Sequence, residues 1–317
     1  MHIPLTSAQI SSELRQLGIT VFERGWLSSN NILIEGAEST ALVDSGYCTH
    51  ASQTLALVQQ ALQTRPLDLL LNTHLHSDHC GGNAALQSAY PQMRTLIPPG
   101  QVAAVSNWDA EALTHAPTGQ ICPAFKIQGV LKPGETIQLG DVHWEIHAAR
   151  GHDPHSVIFF EPAGRILISA DALWENGFGV VFPELEDIDA FDEVADTLTL
   201  IEALKPSIVI PGHGAVFVNI DDALRRARSR LDQFVEHPEK HRRHALKVLI
   251  KFKLLEWQSV NEQDLFNWYV KTPYISTIER RTSVLEESEL QKTFISLIND
   301  LDKSGALRRE DDRISNS

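Results

Sequence analysis

The segment 72–83, NTHLHSDHCGGN, contains four side chains that can bind a metal ion, all in one span of six residues. They are His74, His76, Asp78 and His79. Imidazole nitrogens suit zinc, iron or copper, whereas calcium and magnesium prefer oxygen ligands. A single histidine here would more simply be incidental, but three histidines and a carboxylate at this spacing indicate a transition-metal site.

The residues around these four side chains predict how the chain presents them. The apolar run 69–71 precedes the cluster and the glycine pair 81–82 follows it. This order is typical of a buried strand that ends in a tight turn. On such a backbone His74 and His76 point to one side, while Leu75 points towards the core. We therefore expect the metal-binding side chains at the carboxyl end of a buried strand.

The spacing His-x-His-x-Asp-His resembles the first motif of the metallo-β-lactamase-fold hydrolases. Later segments resemble further motifs of that family in the same order: 151–156 (GHDPHS), 169–171 (SAD) and 211–214 (PGHG). The segment 43–46 (VDSG) resembles the family's Asp-x-Gly at the end of an early strand. The resemblance covers about residues 19–215, two-thirds of the chain.

The resemblance implies a site for two divalent metal ions. One ion would be bound by His74, His76 and His152, and the other by Asp78, His79 and His213, with Asp171 bridging both. Zinc is the default for these ligands, with iron or manganese as alternatives. Asp44 would support a histidine ligand or the turn from behind.

The same resemblance implies hydrolysis. Two divalent ions that share a water molecule lower its pKa from about 15.7 towards 7, and the resulting metal-bridging hydroxide attacks an ester, thioester, lactone, amide or phosphodiester. Asp78 could also orient this nucleophile, which makes it the candidate catalytic residue. We therefore expect a metal-dependent hydrolase of a small ester, thioester or lactone.

Deviations from the family patterns bear on the substrate. Flavodiiron oxidoreductases carry glutamate where this chain has His76, which disfavours oxygen or nitric oxide reduction. Persulfide dioxygenases and hydroxyacylglutathione hydrolases share the spacing, so an iron-dependent persulfide dioxygenase stays an alternative. In the second motif Asp153 and His155 replace the usual threonine and glycine. His155 either contacts the substrate or points to solvent, and both alternatives stay open.

The composition is that of a large globular protein. At 317 residues and 43% hydrophobic content, the chain is long enough for two domains with sizeable cores. No uninterrupted apolar stretch approaches the about 18 residues of a membrane span, and the polar segment 1–17 does not resemble a secretory signal. Three widely spaced cysteines, Cys48, Cys80 and Cys122, indicate a reducing cytoplasm rather than a disulfide framework. Cys80 adjoins the histidine cluster, where a ligand or a redox-sensitive thiol is the alternative; we interpret it as a small buried residue that fills the turn.

The distribution of charge bears on possible partners. Residues 1–220 carry 9 Lys and Arg against 24 Asp and Glu, whereas residues 221–317 carry 18 against 17. An acidic first part repels polyanions, which favours a small-molecule substrate over nucleic acid. Six arginines of the C-terminal part favour the alternative, an endoribonuclease or nucleic-acid-binding protein: Arg225, Arg226, Arg228, Arg230, Arg242 and Arg243. The same part shows no basic pattern suited to the carboxylates of glutathione.

Periodicity and the resemblance together predict an α+β fold. We expect a four-layer αβ/βα metallo-β-lactamase sandwich over residues 1–218 and a helical, winged-helix-like domain over residues 219–317. A similar C-terminal addition occurs in a subfamily of these hydrolases that includes endoribonucleases; here it would shape the pocket mouth or form a homodimer contact. The segment 106–127 lacks clear periodicity and is predicted to be a long loop in the substrate wall, with His115 on the surface.

Overall fold

Two β-sheets lie at the centre of the first two-thirds of the chain. The computed structural model describes residues 7–280 and 286–317. The first sheet has the strand order β1-β2-β3-β4-β5-β6, with strands β1 (Ile19–Phe22), β2 (Asn31–Glu35), β3 (Thr40–Val43), β4 (Leu69–Leu71), β5 (Arg94–Ile97) and β6 (Gly129–Val130). The second has the order β11-β10-β9-β8-β7, with strands β7 (Thr136–Leu139), β8 (Val142–Ala148), β9 (Val157–Glu161), β10 (Ile166–Ala170) and β11 (Ile208–Pro211).

Helices cover the outer face of each sheet. Helices α2 (Ala51–Leu62) and α4 (Asn83–Ala89) pack on the first sheet, and α6 (Phe191–Leu204) and α7 (Ile220–Glu236) pack on the second. The other helices of this part are α1 (Ser7–Gln16), α3 (Ser77–Cys80) and α5 (Val102–Asn107), with 3₁₀ turns at Cys48–His50 and Pro183–Glu186. This arrangement of helix, sheet, sheet and helix confirms the predicted four-layer α+β fold.

Alternation along the strands explains how one sheet serves two cores. In β2, Ile32 and Ile34 pack into the space between the sheets, while Leu33 packs against α2 and α4. In β9, Phe159 faces the other sheet and Ile158 faces α6 and α7. Because successive side chains of a strand point to opposite faces, strands that are apolar throughout are required here.

Ile34 tests the core between the sheets. Its side chain is fully buried, so Ile34→Ala is expected to lower the free energy of unfolding by about 2–5 kcal/mol. Ile188 is 56% exposed, and Ile188→Ala should change the free energy of unfolding by less than about 0.5 kcal/mol. Denaturant unfolding of both variants makes the comparison, and equal losses would contradict the burial assigned to Ile34.

The C-terminal part contains helices and a small sheet with the order β12-β14-β13. Its elements are α8 (Pro238–Trp257), β12 (Ser259–Asn261), α9 (Glu262–Lys271), α10 (Pro273–Arg280), α11 (Glu287–Lys303), β13 (Leu307–Glu310) and β14 (Arg313–Asn316). The hairpin β13–β14 includes residues 307–309 of the segment 305–309, which the sequence predicts to begin a small β-wing. The winged-helix assignment and the boundary at residue 218 stay predictions. Helix α7 shares its core with α6, and the later helices form a second cluster that also includes Val180 and Leu185 of the first part.

Helix α8 connects the C-terminal part to the first part. Tyr47 donates a hydrogen bond to Glu256 at 3.1 Å, and Lys253 donates one to the Gly119 carbonyl at 2.6 Å. Lys253 and Glu256 form an ion pair and are almost entirely buried, so these contacts are shielded from water.

In the described part of the chain, no helix is both long and apolar enough to cross a bilayer.

Candidate metal centre

All seven side chains predicted to bind metal meet at one edge of the two sheets. His74 and His76 follow β4, while Asp78 and His79 lie on α3, a short helix where the sequence predicts only a turn. The remaining three, His152, Asp171 and His213, follow strands β8, β10 and β11. Strands β3 and β4 are parallel, as are β10 and β11, so their carboxyl ends reach the same edge. Leu75 is buried, as predicted.

Three histidines form one group. His76 Nδ1 lies 2.9 Å from His152 Nε2, and His74 Nε2 lies 3.3 Å from the same nitrogen. One ring nitrogen from each of the three lies within 4.8 Å of the others. Imidazole nitrogens this close repel each other once they are protonated. They are compatible with a shared cation.

Asp78, His79 and His213 form a second group, which Asp171 joins to the first. His213 Nε2 lies 3.1 Å from Asp78 Oδ2. Asp171 Oδ1 lies 3.5 Å from His79 Nε2, and Asp171 Oδ2 lies 3.5 Å from His152 Nε2. One carboxylate therefore contacts a histidine of each group, which is the position predicted for a bridging ligand.

The backbone is distorted at two carboxylates of the site. Asp44 has φ 60°, and Ala170, directly before Asp171, has φ 46°. The pairing of β10 with β11 also shifts register between Ile168 and Ala170. Left-handed conformations of non-glycine residues cost about 1–3 kcal/mol and persist where the surrounding structure enforces them. Here they direct Asp44 and Asp171 towards the histidines.

Neighbouring acceptors orient the histidine rings. His79 Nδ1 lies 2.7 Å from Asp44 Oδ2, and His152 Nδ1 lies 2.6 Å from the Val180 carbonyl oxygen. Each acceptor requires a proton on Nδ1, which leaves the Nε2 lone pair facing the cluster. Asp44 thus has the supporting role predicted from the sequence.

Burial and neighbouring charges separate the pKa values of these groups. Burial lowers the pKa of His74 and His76 well below the usual value, and nearby histidines lower it further. Burial also opposes charge on His79, but Asp171, Asp44 and Asp78 outweigh it and hold the pKa of His79 well above its usual value. The pKa of Asp171 is held well below its usual value because His79 and His213 overcome the effect of burial. His74 and His76 are thus neutral imidazoles beside the ionised Asp171, the protonation states that metal ligands need, whereas a metal ion at His79 would have to displace the extra ring proton that the carboxylates favour.

The donor set and its surroundings fit divalent transition ions. His79 Nε2 is buried and has no hydrogen-bond partner among the described residues. A Cβ atom at Gly179 would collide with the His152 ring, and one at Gly212 would collide with the Asp171 carboxylate. These glycines therefore let the backbone approach the ligands closely, which any side chain would prevent.

Five of the seven side chains line a cavity of about 530 Å³, namely His76, Asp78, His152, Asp171 and His213, while His74 and His79 lie buried behind them. Trp26 stacks on the His213 ring at 5.4 Å, and Trp174 Nε1 donates to Asp171 Oδ1 at 3.2 Å. Helix α8 forms the opposite wall with apolar and basic side chains, namely His244, Lys247, Val248, Leu249, Lys251, Phe252 and Leu255. The cavity therefore lies between the sandwich and the C-terminal helices.

Comparison with known proteins agrees with this geometry. A family model described as the metallo-beta-lactamase superfamily matches residues 24–213, from just before β2 to the last histidine of the cluster. That match covers more than half of the chain.

The chain belongs to the metallo-β-lactamase superfamily.

Curated relatives within the superfamily are distant. A probable hydroxyacylglutathione hydrolase of Schizosaccharomyces pombe is 23% identical over 62% of this chain and 68% of its own length. An acyl-coenzyme A thioesterase of Homo sapiens is 25% identical over 64% of this chain and 81% of its own length. For the bacterial hydroxyacylglutathione hydrolases that also match, the aligned part is only 52–56% of their length.

One solved structure extends the likeness beyond the matched region. A metallo-beta-lactamase family protein of Thermus thermophilus superposes with a TM-score of 0.56 over 95% of this chain and 99% of its own, at 16% identity. The superposition includes the C-terminal helices. At this identity it shows a shared fold alone.

Residues outside the superfamily motifs complete the cavity. Trp26, Arg230, Lys247 and Lys251 line it, and none of them lies in the motif segments. Lys247 and Lys251 are four residues apart on α8, so they lie on the same face, and that spacing is a signal the sequence does contain. Which surface that face meets is decided only by the packing of α8. The segment 106–127 contributes Thr114, Thr118 and Gln120 to the wall, as predicted.

Three further sequence interpretations have different outcomes. His155 packs against Gly100 and is outside the cavity lining. His115 is 3% exposed, so its predicted surface position is wrong. Cys80 is fully buried, as predicted, but it lies 3.7 Å from Cys122 rather than only filling a turn. A hydrogen bond from Cys80 and a smaller contribution from His115 together lower the pKa of Cys122 to about 6 against the effect of burial.

Several arginines that favoured nucleic acid are engaged within the protein. Arg225, Arg228 and Arg243 form ion pairs with Asp222, Glu202 and Asp300. Arg226 donates to the Glu175 carbonyl at 2.8 Å. Side chains held in this way present less free positive charge to a polyanion.

Proposed function

We propose that the protein is a dinuclear metal-dependent hydrolase of small thioesters that carry an anionic group. The observation that supports it most is the cavity in which a wall of candidate ligands faces an apolar and basic wall from α8. The names of two relatives support a thioester substrate. They are a probable hydroxyacylglutathione hydrolase and an acyl-coenzyme A thioesterase, and acyl groups on glutathione and on coenzyme A are thioesters. The three free cysteines agree with the cytoplasmic location that the sequence predicts.

The chain's own residues would divide the work. His74, His76 and His152 would hold one ion, and Asp78, His79 and His213 the other, with Asp171 touching both groups. When bound, such ions supply a nucleophile at neutral pH and stabilise the negative charge that develops on the substrate. Zinc is the default from the ligand types, with iron or manganese as alternatives.

Asp78 is the proposed catalytic residue. Its side chain is 15% exposed and lines the cavity, whereas the neighbouring His79 is fully buried. An ionised carboxylate in this position accepts a hydrogen bond from the attacking water and orients it. Trp26 and Trp174 pack against the His213 ring and hold it in place beside Asp78.

The wall formed by α8 would bind the remainder of the substrate. Val248, Phe252 and Leu255 provide apolar surface for a short acyl or carrier chain. Lys247 lies 3.7 Å from Asp300, which restrains its ammonium group while leaving it 31% exposed. Arg230 also lines the cavity, so Lys247 and Arg230 offer two cations to an anionic group of the substrate; Lys251, the third cation of the lining, donates to Asn316.

A substrate panel tests the reaction class. The metal-loaded enzyme is assayed with acyl-coenzyme A and hydroxyacylglutathione thioesters, matched oxygen esters, lactones, phosphodiesters, single-stranded RNA and glutathione persulfide. We expect kcat/KM to be at least about tenfold higher for an anionic thioester than for its oxygen ester, equivalent to about 1.4 kcal/mol. Oxygen uptake with persulfide, or cleavage of RNA without thioesterase activity, would replace this proposal with one of its alternatives.

Lys247→Ala tests the anionic recognition. We expect KM for a charged thioester to rise up to about fivefold with kcat nearly unchanged, because a partly exposed ion pair contributes up to about 1 kcal/mol to binding. Lys240→Ala, an exposed lysine at the start of the same helix that does not line the cavity, is the matched control. The KM of each variant is measured by steady-state kinetics. Equal KM values for Lys247→Ala and Lys240→Ala would show that Lys247 does not contact the substrate.

A further inference from the structure

A separate cluster of two thiols and an imidazole lies behind the ligand helix. Cys80 is on α3, while His115 and Cys122 come from the segment between α5 and β6. One ligand atom from each of the three lies within 4.8 Å of the others. None of the three belongs to the seven candidate ligands of the His/Asp centre.

The separation of the two sulfur atoms fits a shared metal ion. The Sγ atoms of Cys80 and Cys122 are 3.7 Å apart. A tetrahedral zinc site with Zn–S bonds of about 2.3 Å places two sulfur ligands about 3.8 Å apart. A disulfide requires about 2.05 Å, so the sulfurs would have to move towards each other to form one.

His115 provides an independent observation. Its side chain is 3% exposed, and its Nε2 atom has no hydrogen-bond partner among the described residues. A buried polar atom without a partner costs about 1–3 kcal/mol. One ring nitrogen of His115 lies within 4.8 Å of both sulfur atoms, so a cation held between the three groups would give the imidazole a partner. The Trp108 ring stacks over the imidazole at 6.2 Å and shields it from solvent.

The environment of the cluster is apolar. Cys80 belongs to a hydrophobic cluster with Leu75, Ile97, Val105, Leu113 and Phe125, and Cys122 packs against its edge. Cys122 is only half-buried, so a fourth ligand can reach this side from solvent.

We propose that Cys80, His115 and Cys122 form a third metal site, specific for a thiophilic divalent cation such as zinc. The two cysteines bind as thiolates and release two protons, and His115 binds through a neutral ring nitrogen. Such a site links α3, which carries Asp78 and His79, to the segment between α5 and β6. That segment contributes Thr114, Thr118 and Gln120 to the cavity wall. Its role is to position that wall, and it takes no part in the reaction itself.

Cobalt substitution tests this site separately from the His/Asp centre. The full chain is produced in cobalt-supplemented medium and purified without chelators, and its near-ultraviolet absorption and cobalt content are measured. Thiolate-to-cobalt charge transfer reports on this cluster alone, because the other centre contains no sulfur ligand. We expect the band in the native protein and its loss, with one cobalt equivalent, in Cys122→Ser and in His115→Ala.

Two variants serve as controls. Cys48→Ser removes the third cysteine, whose thiol donates to the Ile121 carbonyl at 3.2 Å, and should keep the band. Asp78→Asn alters the His/Asp centre and should also keep it, so failure of the proposed hydrolase site leaves this result unaffected. Cys122→Ala replaces Cys122→Ser if circular dichroism shows that the serine variant is unfolded. Absence of the band in native protein, its persistence in Cys122→Ser, or a Cys80–Cys122 disulfide found by mass spectrometry would overturn the proposal.

Discussion

Asp171→Asn is expected to fold normally, lose most of one metal equivalent and lower turnover by at least about a hundredfold. The carboxylate lies 3.5 Å from His79 and from His152, and 3.8 Å from His213. It therefore supplies the negative charge that allows two cations to lie close together. Asparagine keeps the shape but presents a neutral amide to three imidazoles.

The measurement separates this role from a simple structural one. An aspartate that only capped the following turn would be replaced by asparagine with little loss, because the two residues cap about equally well. Metal content, circular dichroism and kcat are measured on Asp171→Asn and on Asp192→Asn, a carboxylate at the start of α6 and outside the cavity lining. A variant of Asp171 with both metals and near-native turnover would show that this residue does not bridge the site.

Asp44→Asn is expected to lower metal affinity or activity about tenfold to a hundredfold, although Asp44 does not line the cavity. Oδ1 of Asp44 accepts from the Thr73 backbone amide at 2.9 Å, and Oδ2 faces His79 Nδ1 at 2.7 Å. In the variant, the Thr73 amide requires the asparagine oxygen, so the NH₂ group must face His79. The imidazole then accepts at Nδ1 and carries its proton on Nε2, the atom that would bind metal.

The backbone should not contribute to this effect. Asp44 has φ 60°, and asparagine tolerates this left-handed conformation well. Asp68→Asn is a suitable control because Asp68 also accepts a strand amide, that of Thr40 at 2.8 Å, at a distance from the histidines. Metal titration should show weaker binding for Asp44→Asn alone. Equal affinities in the two variants would contradict a role for Asp44 in orienting His79.

Much of this protein follows from local patterns in its sequence. The alternation of residues 32–34 between two cores, and the apolar strand before His74, reflect geometry that neighbouring residues impose on one another. The four candidate ligands of the first motif can be recognised from their residue types and their spacing within six residues. The resemblance implies that Asp44 supports a histidine or the turn, and its contact with His79 agrees with the first of these. His152, Asp171 and His213 required the family order, since no local pattern joins residues so far apart.

Other features depend on contacts that only the folded chain creates. The thiols of Cys80 and Cys122 are 42 residues apart in sequence, and the intervening segment has no periodicity that predicts their meeting. The same holds for Trp26 against His213 and for Lys247 in the cavity wall. A helical stripe shows which side chains share a face, but not which surface that face meets. That choice is made by the packing of α8 against the sandwich, because burial of apolar area is not directional and depends on the shapes of both surfaces.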